Sequence, residues 1–181
     1  GVDPLYCVHP AVGLAWNYLG LSGELDPSIP IIGLQAPGIS YPMPPADSIK
    51  ELARTYVRNI RASRPHGPYN LLGWSLGGLI AHEMAVELRD LGEKVNLALM
   101  DAYPLGDYRG AREEMSIAAL LREFVGLEVD DDAELTPDDA LDLLSTAGGP
   151  ARELSRGQME RLLTNYRHNT TLGYSHRPRE Y

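Results

Sequence analysis

The sequence contains a single cysteine, Cys7, among its 181 residues. One thiol cannot form a disulfide within the chain, which favours a reducing compartment and therefore the cytoplasm. Lysine is equally scarce, since Lys50 and Lys94 are its only occurrences, and the net charge is −9. Because no cluster of basic residues is present, this composition argues against a nucleic-acid partner.

Long apolar runs are also missing. No stretch approaches the roughly 20 apolar residues that a membrane span needs, and the N-terminus lacks the charged-then-apolar layout of a signal peptide. We therefore expect a cytoplasmic chain without a membrane partner. The ordinary composition, with 44% hydrophobic and 23% charged residues, indicates one globular domain over residues 1–181. Cys7 lies in the apolar stretch LYCV, so we expect a buried strand thiol rather than a reactive one.

Over the first hundred residues, short apolar runs alternate with longer amphipathic segments. The patterns predict strands at 5–8, 29–35, 69–74 and 94–100, and helices at 48–63 and 76–92. This alternation with short connections is typical of βαβ units, and it predicts a mostly parallel sheet with helices on both faces. Strands of such a sheet are covered on both sides, so 94–100 is expected to be buried like the others.

The segment after Pro104 has a different character. It contains no convincing strand and predicts three helices, at 116–125, 137–146 and 155–171. Thr136 followed by Pro137 is a typical helix start. A helical block that follows a strand of an α/β sheet is a candidate lid. We therefore divide the single domain into a core at 1–104, a helical lid region at 105–154, and a last helix with the start of a C-terminal part at 155–181.

The stretch GWSLGG at residues 73–78 contains the pattern G-x-S-x-G between a predicted strand and a predicted helix. That context is the strand–turn–helix of a nucleophile elbow, in which the serine side chain projects above the sheet. The flanking glycines let the strand and the helix approach each other closely. The alternative is a glycine-rich turn in which Ser75 merely caps the helix. We favour the nucleophile, since the predicted strand ends directly before Ser75 and the predicted helix begins directly after it.

A serine nucleophile needs a base, an acid that orients the base, and donors for the oxyanion. Asp101 follows directly after a predicted strand, at the sheet edge where open α/β sheets place their sites, so we predict it to be the acid. Its alternative role is to start the turn before Pro104. One oxyanion donor is expected to be the N–H of Leu76, and the other should come from the loop HPAVG after the first strand. His9, in that loop, is interpreted as a residue that shapes the oxyanion turn.

Four stretches together, LYCVHPAVGLAWNYLGL, PIIGLQAPG, YNLLGWSLGGLIAHEMA and LALMDAYP, resemble a thioesterase domain of the α/β-hydrolase superfamily. The chain looks most similar to the C-terminal releasing thioesterase of nonribosomal peptide synthetases, with those of polyketide synthases next. The resemblance covers residues 5–104 specifically and the helical remainder loosely.

The resemblance implies transfer of a peptidyl or acyl chain from the phosphopantetheine thioester of an upstream carrier protein onto Ser75. Hydrolysis or macrocyclisation then releases the chain. It implies Asp101 as the acid, Ala11 and Leu76 as the N–H donors, the helices after Pro104 as the lid, and neither a metal nor a bound cofactor.

The sequence departs from the family pattern at the catalytic histidine. In the family this residue follows the last strands of the sheet, whereas here His168 lies within a predicted helix and His176 beside Pro178. Both are poor candidates, so the histidine and the C-terminal strands are expected to lie beyond Tyr181, and their loss would leave a sheet edge exposed.

Two alternatives remain open. The chain could be a stand-alone editing thioesterase or an esterase, or it could be a non-catalytic fragment that binds a carrier protein.

Overall fold

A computed structural model describes residues 2–39, 42–104, 116–130, 132–147 and 149–181. It contains four strands: β1 (Leu5–Val8), β2 (Ile31–Leu34), β3 (Tyr69–Trp74) and β4 (Val95–Met100). They form one sheet in the order β2-β1-β3-β4, and all three neighbouring pairs are parallel. The predicted α/β fold with a parallel sheet is confirmed.

The strand order changes direction at β1: β2 is added on one side of β1, and β3 and β4 are added on the other. The chain first moves from β1 outward to β2 through a 3-10 helix (Trp16–Gly23), and then crosses back to β3 through α1 (Ile49–Ser63) and on to β4 through α2 (Leu76–Asp90). Because crossovers are right-handed, the 3-10 helix that connects β1 to β2 lies on one face of the sheet, and α1 and α2 lie on the other. The carboxyl ends of β1 and β3 consequently form a topological switch point, which is where open α/β sheets bind their ligands.

The face beneath α1 and α2 holds the main hydrophobic core. Their buried residues pack against inward-facing side chains of β1 and β3, among them Tyr6, Val8, Tyr69 and Leu71. On the opposite face, Cys7 and Leu72 pack beneath Ala15 and Tyr18 of the segment that includes the 3-10 helix. Cys7 is fully buried, and this burial raises the pKa of its thiol to about 11. The expected buried strand thiol is confirmed.

After Met100, the regular elements in the part of the chain that the structure describes are all helices. They comprise α3 (Ile117–Leu120) with a π-helical continuation (Leu121–Val125), α4 (Pro137–Thr146), a short 3-10 helix (Gly149–Glu153) and α5 (Arg156–Ser175). The predicted start of α4 is confirmed, since the Thr136 side chain accepts the N–H of Asp139 and Pro137 opens the helix. Residues 105–115 of the predicted lid region lie outside the described residues.

These helices share a second hydrophobic core with the loops after β1 and β2. Its buried residues are Val12, Leu14, Ala36, Ile39, Leu120, Leu121, Ala140, Leu144, Ala151, Leu154, Met159 and Leu162. Four of them come from the two loops and the rest from the helical region. The helices therefore pack directly against the loops at the switch point.

The last strand, β4, differs from the prediction. The expectation that 94–100 is buried is wrong, because β4 lies at the edge of the sheet, and Leu99 and Met100 are 46% and 49% exposed. The exposed sheet edge that was also expected is therefore present. None of the helices in the described ranges is long and apolar enough to span a membrane.

Candidate active site

Ser75 occupies the single residue between β3 and α2. Its backbone is left-handed, with φ 55° and ψ −129°, and its side chain makes no capping hydrogen bond to α2. A capping serine normally has extended backbone angles and accepts an N–H from the first turn. The interpretation of Ser75 as a helix cap is therefore not supported by the geometry. A non-glycine residue held at positive φ carries about 1–3 kcal/mol of strain, and such strain concentrates at functional sites.

The glycines of the elbow permit contacts that no larger residue could make. A Cβ atom on Gly73 would lie 2.3 Å from the backbone oxygen of Gly77, and one on Gly77 would lie 2.3 Å from the oxygen of Val8. A Cβ atom on Gly78 would lie 2.3 Å from the Cβ of Ala102. The start of α2 thus touches both the end of β1 and the residue after Asp101. The elbow fixes the spacing of all three segments of the site.

Asp101 lies beside Ser75 at the ends of neighbouring strands. The β3–β4 register ends with Trp74 opposite Met100, and the N–H of Ser75 donates to the Met100 carbonyl at 3.0 Å. Ser75 follows β3 and Asp101 follows β4 by one residue each, so both leave neighbouring strands, roughly 4.8 Å apart, at the same edge of the sheet. Asp101 is exposed and has φ 46°, so it and Ser75 are the two non-glycine residues with positive φ in the described ranges. The structure therefore brings these two predicted residues together.

The two predicted oxyanion donors lie in segments that pack against each other at this edge of the sheet. Leu76 is the first residue of α2, so no intrahelical carbonyl can accept its N–H, and the helix dipole favours negative charge there. Ala11 lies in the loop after β1, on which Gly77 packs through the carbonyls of Val8 and His9. Both backbone N–H groups thus belong to segments that the elbow holds in contact.

His9 holds the loop that carries Ala11. The ring is fully buried, with Nδ1 2.7 Å from the Pro10 carbonyl oxygen and Nε2 2.6 Å from the Tyr56 hydroxyl. Since a carbonyl can only accept, Nδ1 carries the proton and Nε2 accepts from the hydroxyl. Burial lowers the pKa of His9 from 6.5 to about 4. A neutral imidazole committed to two structural hydrogen bonds matches the interpretation of His9 as a residue that shapes the oxyanion turn.

The lowered pKa of His9 makes stability dependent on pH. Below about pH 6.5 the unfolded chain binds this proton and the folded chain does not, so stability falls as the pH is lowered toward about 4. Between about pH 7 and pH 5 the free energy of unfolding should fall by about 2 kcal/mol more in the wild type than in His9→Asn. Urea unfolding at both pH values measures this. The exposed His66 provides the control, His66→Asn, which should follow the wild type. Equal pH dependence of His9→Asn and the wild type would contradict the assignment.

Each of the five histidines has a contact away from Ser75. They pair as His9 with Tyr56, His66 with Glu93 at 3.3 Å, His82 with the Tyr181 ring at a centroid distance of 5.9 Å, His168 with the Ala46 carbonyl at 2.7 Å, and His176 with Glu83 at 3.3 Å. Of the two poor candidates, His168 contacts the segment that precedes α1, and His176 contacts Glu83 of α2. Ser75, Asp101, Leu76 and Ala11 lie at one edge of the sheet, and the contacts given for the five histidines are all to groups other than Ser75 and Asp101.

A row of aromatic side chains begins beside the nucleophile. Trp74 directly precedes Ser75, its ring lies 5.9 Å from that of Phe124 in the π-helical segment, and Phe124 lies 6.4 Å from Tyr166 in α5. All three are partly buried. Trp74 packs against the cluster around Cys7, Phe124 against the core of the helical region, and Tyr166 against the main core beneath α1 and α2. The row therefore joins the sheet to the helical region next to Ser75.

The sequence matches the family model described as Thioesterase domain over residues 3–171. The chain belongs to this thioesterase family. It is 48% identical over 102 residues to a dimodular nonribosomal peptide synthase of Bacillus subtilis (strain 168), and 45% identical over 101 residues to enterobactin synthase component F of Escherichia coli (strain K12). The matches cover 56% and 55% of this chain but only 4% and 8% of those synthetases.

Solved thioesterase structures superpose on the whole chain. The NocB thioesterase domain, in covalent complex with a fluorophosphonate nocardicin G analog, matches with a TM-score of 0.72 and 27% identity over 100% of this chain and 69% of that chain. A four-domain nonribosomal peptide synthetase, holo-AB3403, matches with a TM-score of 0.76 and 25% identity over 98% of this chain and 15% of that one. The resemblance to nonribosomal peptide synthetase thioesterases and the α/β-hydrolase fold are confirmed.

Some features of this thioesterase site escape the sequence patterns. The Tyr56 partner of His9 and the aromatic row each depend on residues far apart in the chain. Tyr56 occurs at a core-facing position of α1, where its periodicity predicts burial and says nothing about its hydroxyl. The hydrogen bond between the Tyr56 hydroxyl and His9 depends on the packing of α1 against the end of β1, which the sequence pattern does not show.

Proposed function

We propose that this thioesterase domain releases a peptidyl or acyl chain from the phosphopantetheine thioester of a carrier protein through an acyl-Ser75 intermediate. The observation that carries the proposal is the strained Ser75 at the β3–α2 elbow, with its side chain uncommitted to capping and with Asp101 directly after the neighbouring strand β4. The resemblance to peptide synthetase regions supports the substrate class.

In the first step, Ser75 Oγ forms a bond to the thioester carbonyl carbon while a base takes the hydroxyl proton. The carbonyl π electrons move to the oxygen, and the N–H groups of Leu76 and Ala11 stabilise the resulting oxyanion. Collapse of the tetrahedral intermediate breaks the carbon–sulfur bond, and the base returns the proton to the departing thiol. The phosphopantetheine arm belongs to the incoming substrate, and no metal or bound cofactor takes part.

In the second step, water or a nucleophile of the acyl chain itself attacks the acyl-Ser75 carbonyl. The base takes the proton of the attacking group, and the same oxyanion donors serve again. The bond from the carbonyl carbon to Ser75 Oγ then breaks, and the base returns the proton to Oγ, which regenerates the enzyme. Water gives a linear acid, whereas an internal hydroxyl or amine gives a macrocycle. The row of Trp74, Phe124 and Tyr166 offers apolar contact to the acyl chain next to the reacting carbon.

The base is proposed to be a histidine other than the five in this chain, because each of these already contacts another group away from the elbow. Asp101 would orient that imidazole and stabilise its protonated form. We therefore expect added imidazole to accelerate the acylation of Ser75 in the 181-residue chain, and Asp101→Asn to weaken this acceleration, since it removes the carboxylate that would stabilise the protonated imidazole. The measurement is the rate of fluorophosphonate labelling against imidazole concentration. Loss of labelling in His168→Ala or His176→Ala would instead identify the base within the chain.

The contacts of the histidines also favour a second candidate of another class. Without a base, this polypeptide could bind a carrier protein and not turn over its thioester. A peptidyl thioester loaded on a carrier protein, incubated with the chain and followed by mass spectrometry, separates the two functions. Free acid, macrocycle or acyl-Ser75 supports the enzyme. Complex formation without any of these products, even when imidazole is added as the base, supports the binding module. Preference for simple soluble esters would indicate an esterase.

A further inference from the structure

Asn169 is a buried amide in α5 that the proposed mechanism does not use. It is 3% exposed and shares the inward face of the helix with Met159, Leu162 and Leu172. Its Nδ2 donates to the carbonyl oxygen of Ala11 at 2.9 Å, across 158 residues of sequence. Burying an amide is unfavourable unless it is paired, and its neighbours on this face are apolar. Packing alone therefore does not account for a polar side chain at this place.

The bond acts on one of the two peptide planes that meet at Ala11. The preceding plane contains the Pro10 carbonyl and the Ala11 N–H, and its oxygen accepts from His9 Nδ1 at 2.7 Å and from the Gly13 N–H at 2.9 Å. The following plane contains the Ala11 carbonyl that Asn169 holds. A trans peptide is planar, so fixing each carbonyl fixes the N–H of the same plane. Together the two anchors set both backbone dihedral angles of Ala11.

We infer that Asn169 is a positioning residue that anchors Ala11 from its carbonyl side, so that the Ala11 N–H, whose own plane is anchored through the Pro10 carbonyl, stays at the oxyanion position and α5 is coupled to the oxyanion hole. The inference rests on the proposed function, in which Ala11 supplies one of the two donors. Asn169 touches neither the substrate nor Ser75, and it acts through the Ala11 backbone. Movement of α5 relative to the loop after β1 would displace the Ala11 N–H from the position at which the oxyanion forms.

The inference predicts a specific kinetic effect. An oxyanion donor is effective when it lies about 2.7–3.1 Å from the developing oxyanion, and removing one donor costs up to roughly 10²–10³-fold in rate. Loss of the Asn169 anchor loosens the donor without removing it. We expect labelling of Ser75 by a fluorophosphonate to slow by about tenfold to hundredfold in its maximal rate, while the probe concentration at half-maximal rate stays unchanged.

The test uses Asn169→Leu, which removes the donor at similar size, and Asn169→Asp, which keeps the shape and reverses the polarity. Asn165→Leu is the matched control, since Asn165 lies one turn earlier on α5 and does not contact Ala11. Both Asn169 variants should show the reduced maximal rate, and the control should match the wild type. Rates of Asn169→Leu and Asn169→Asp equal to the wild type would overturn the inference.

Backbone NMR of the same variants separates this inference from the proposed function. The wild type should show a scalar coupling across the hydrogen bond from the Asn169 side-chain nitrogen to the Ala11 carbonyl carbon. In Asn169→Leu the coupling should vanish and the Ala11 amide resonance should shift, while Asn165→Leu leaves both in place. An Ala11 amide that does not move in Asn169→Leu would refute the positioning role. Failure of the wild type to be labelled even in the presence of imidazole would instead refute Ser75 as the nucleophile, and the NMR result would still decide the role of Asn169.

Discussion

Ser75→Ala is expected to abolish covalent labelling of the chain by a fluorophosphonate. Among the serines that the structure describes, the proposed nucleophile is the one with positive φ, and it opens a helix without a side-chain capping bond. Removing its oxygen removes the atom that forms the bond, so labelling should disappear rather than slow. The measurement is the intact mass of the protein after incubation with the probe. Undiminished labelling of the variant would contradict the assignment.

Ser22→Ala serves as the control, because Ser22 is an exposed serine whose hydroxyl bonds to the Leu19 carbonyl. It should be labelled like the wild type. Ser75→Gly adds an independent test, since glycine adopts positive φ without strain. We expect this variant to lose labelling and to gain about 1 kcal/mol of stability, measured by urea unfolding. Lower stability of Ser75→Gly would indicate that the serine side chain serves the fold.

Gly77→Ala is expected to destabilise the fold by about 3 kcal/mol or more, which lowers the melting temperature by roughly 6–12 °C. The added Cβ would lie 2.3 Å from the carbonyl oxygen of Val8 and 2.7 Å from that of His9. Both obstacles are backbone atoms of β1 and its following loop, so neither can rotate away as a flexible side chain would. Relief requires α2 to move away from β1, which separates Leu76 from the loop of Ala11. Labelling of Ser75 should therefore fall together with stability.

Gly20→Ala is the matched control for this change. Its Cβ would meet no atom within 4 Å, so the melting temperature and the labelling rate should stay close to the wild type. Thermal unfolding followed by circular dichroism measures the first, and intact mass the second. If Gly77→Ala and Gly20→Ala had the same melting temperature, the close approach of α2 to β1 would not be required for the fold.

The sequence predicts most of the site because its parts are local. The glycines around Ser75, the strand before it and the helix after it are contiguous, and the acid follows the next strand by one residue. The strict order of strand, turn and helix determines where Ser75, Leu76 and Asp101 must lie. The register of β3 and β4 then brings them to the same edge of the sheet.

Other features depend on partners that are distant in sequence. The bond from Asn169 to Ala11 joins residues 158 positions apart; the helical spacing from Leu162 and Leu172 places Asn169 on the buried face of α5 but does not reveal its partner. The apolar run of β4 predicts burial, but the burial of a strand depends on which elements flank it. The last helix runs to Ser175 instead of 171, because Gly173 is buried within it rather than at its end.

The central claim is that Ser75 forms the covalent intermediate, and the most direct measurement is the site of attachment. The 181-residue chain is incubated with a fluorophosphonate or a peptidyl thioester, digested, and its peptides are sequenced by tandem mass spectrometry. The proposed mechanism predicts a modification on the peptide that contains GWSLGG, localised to Ser75 and absent after substitution by alanine. Attachment to any other residue, with Ser75 unmodified, would contradict it.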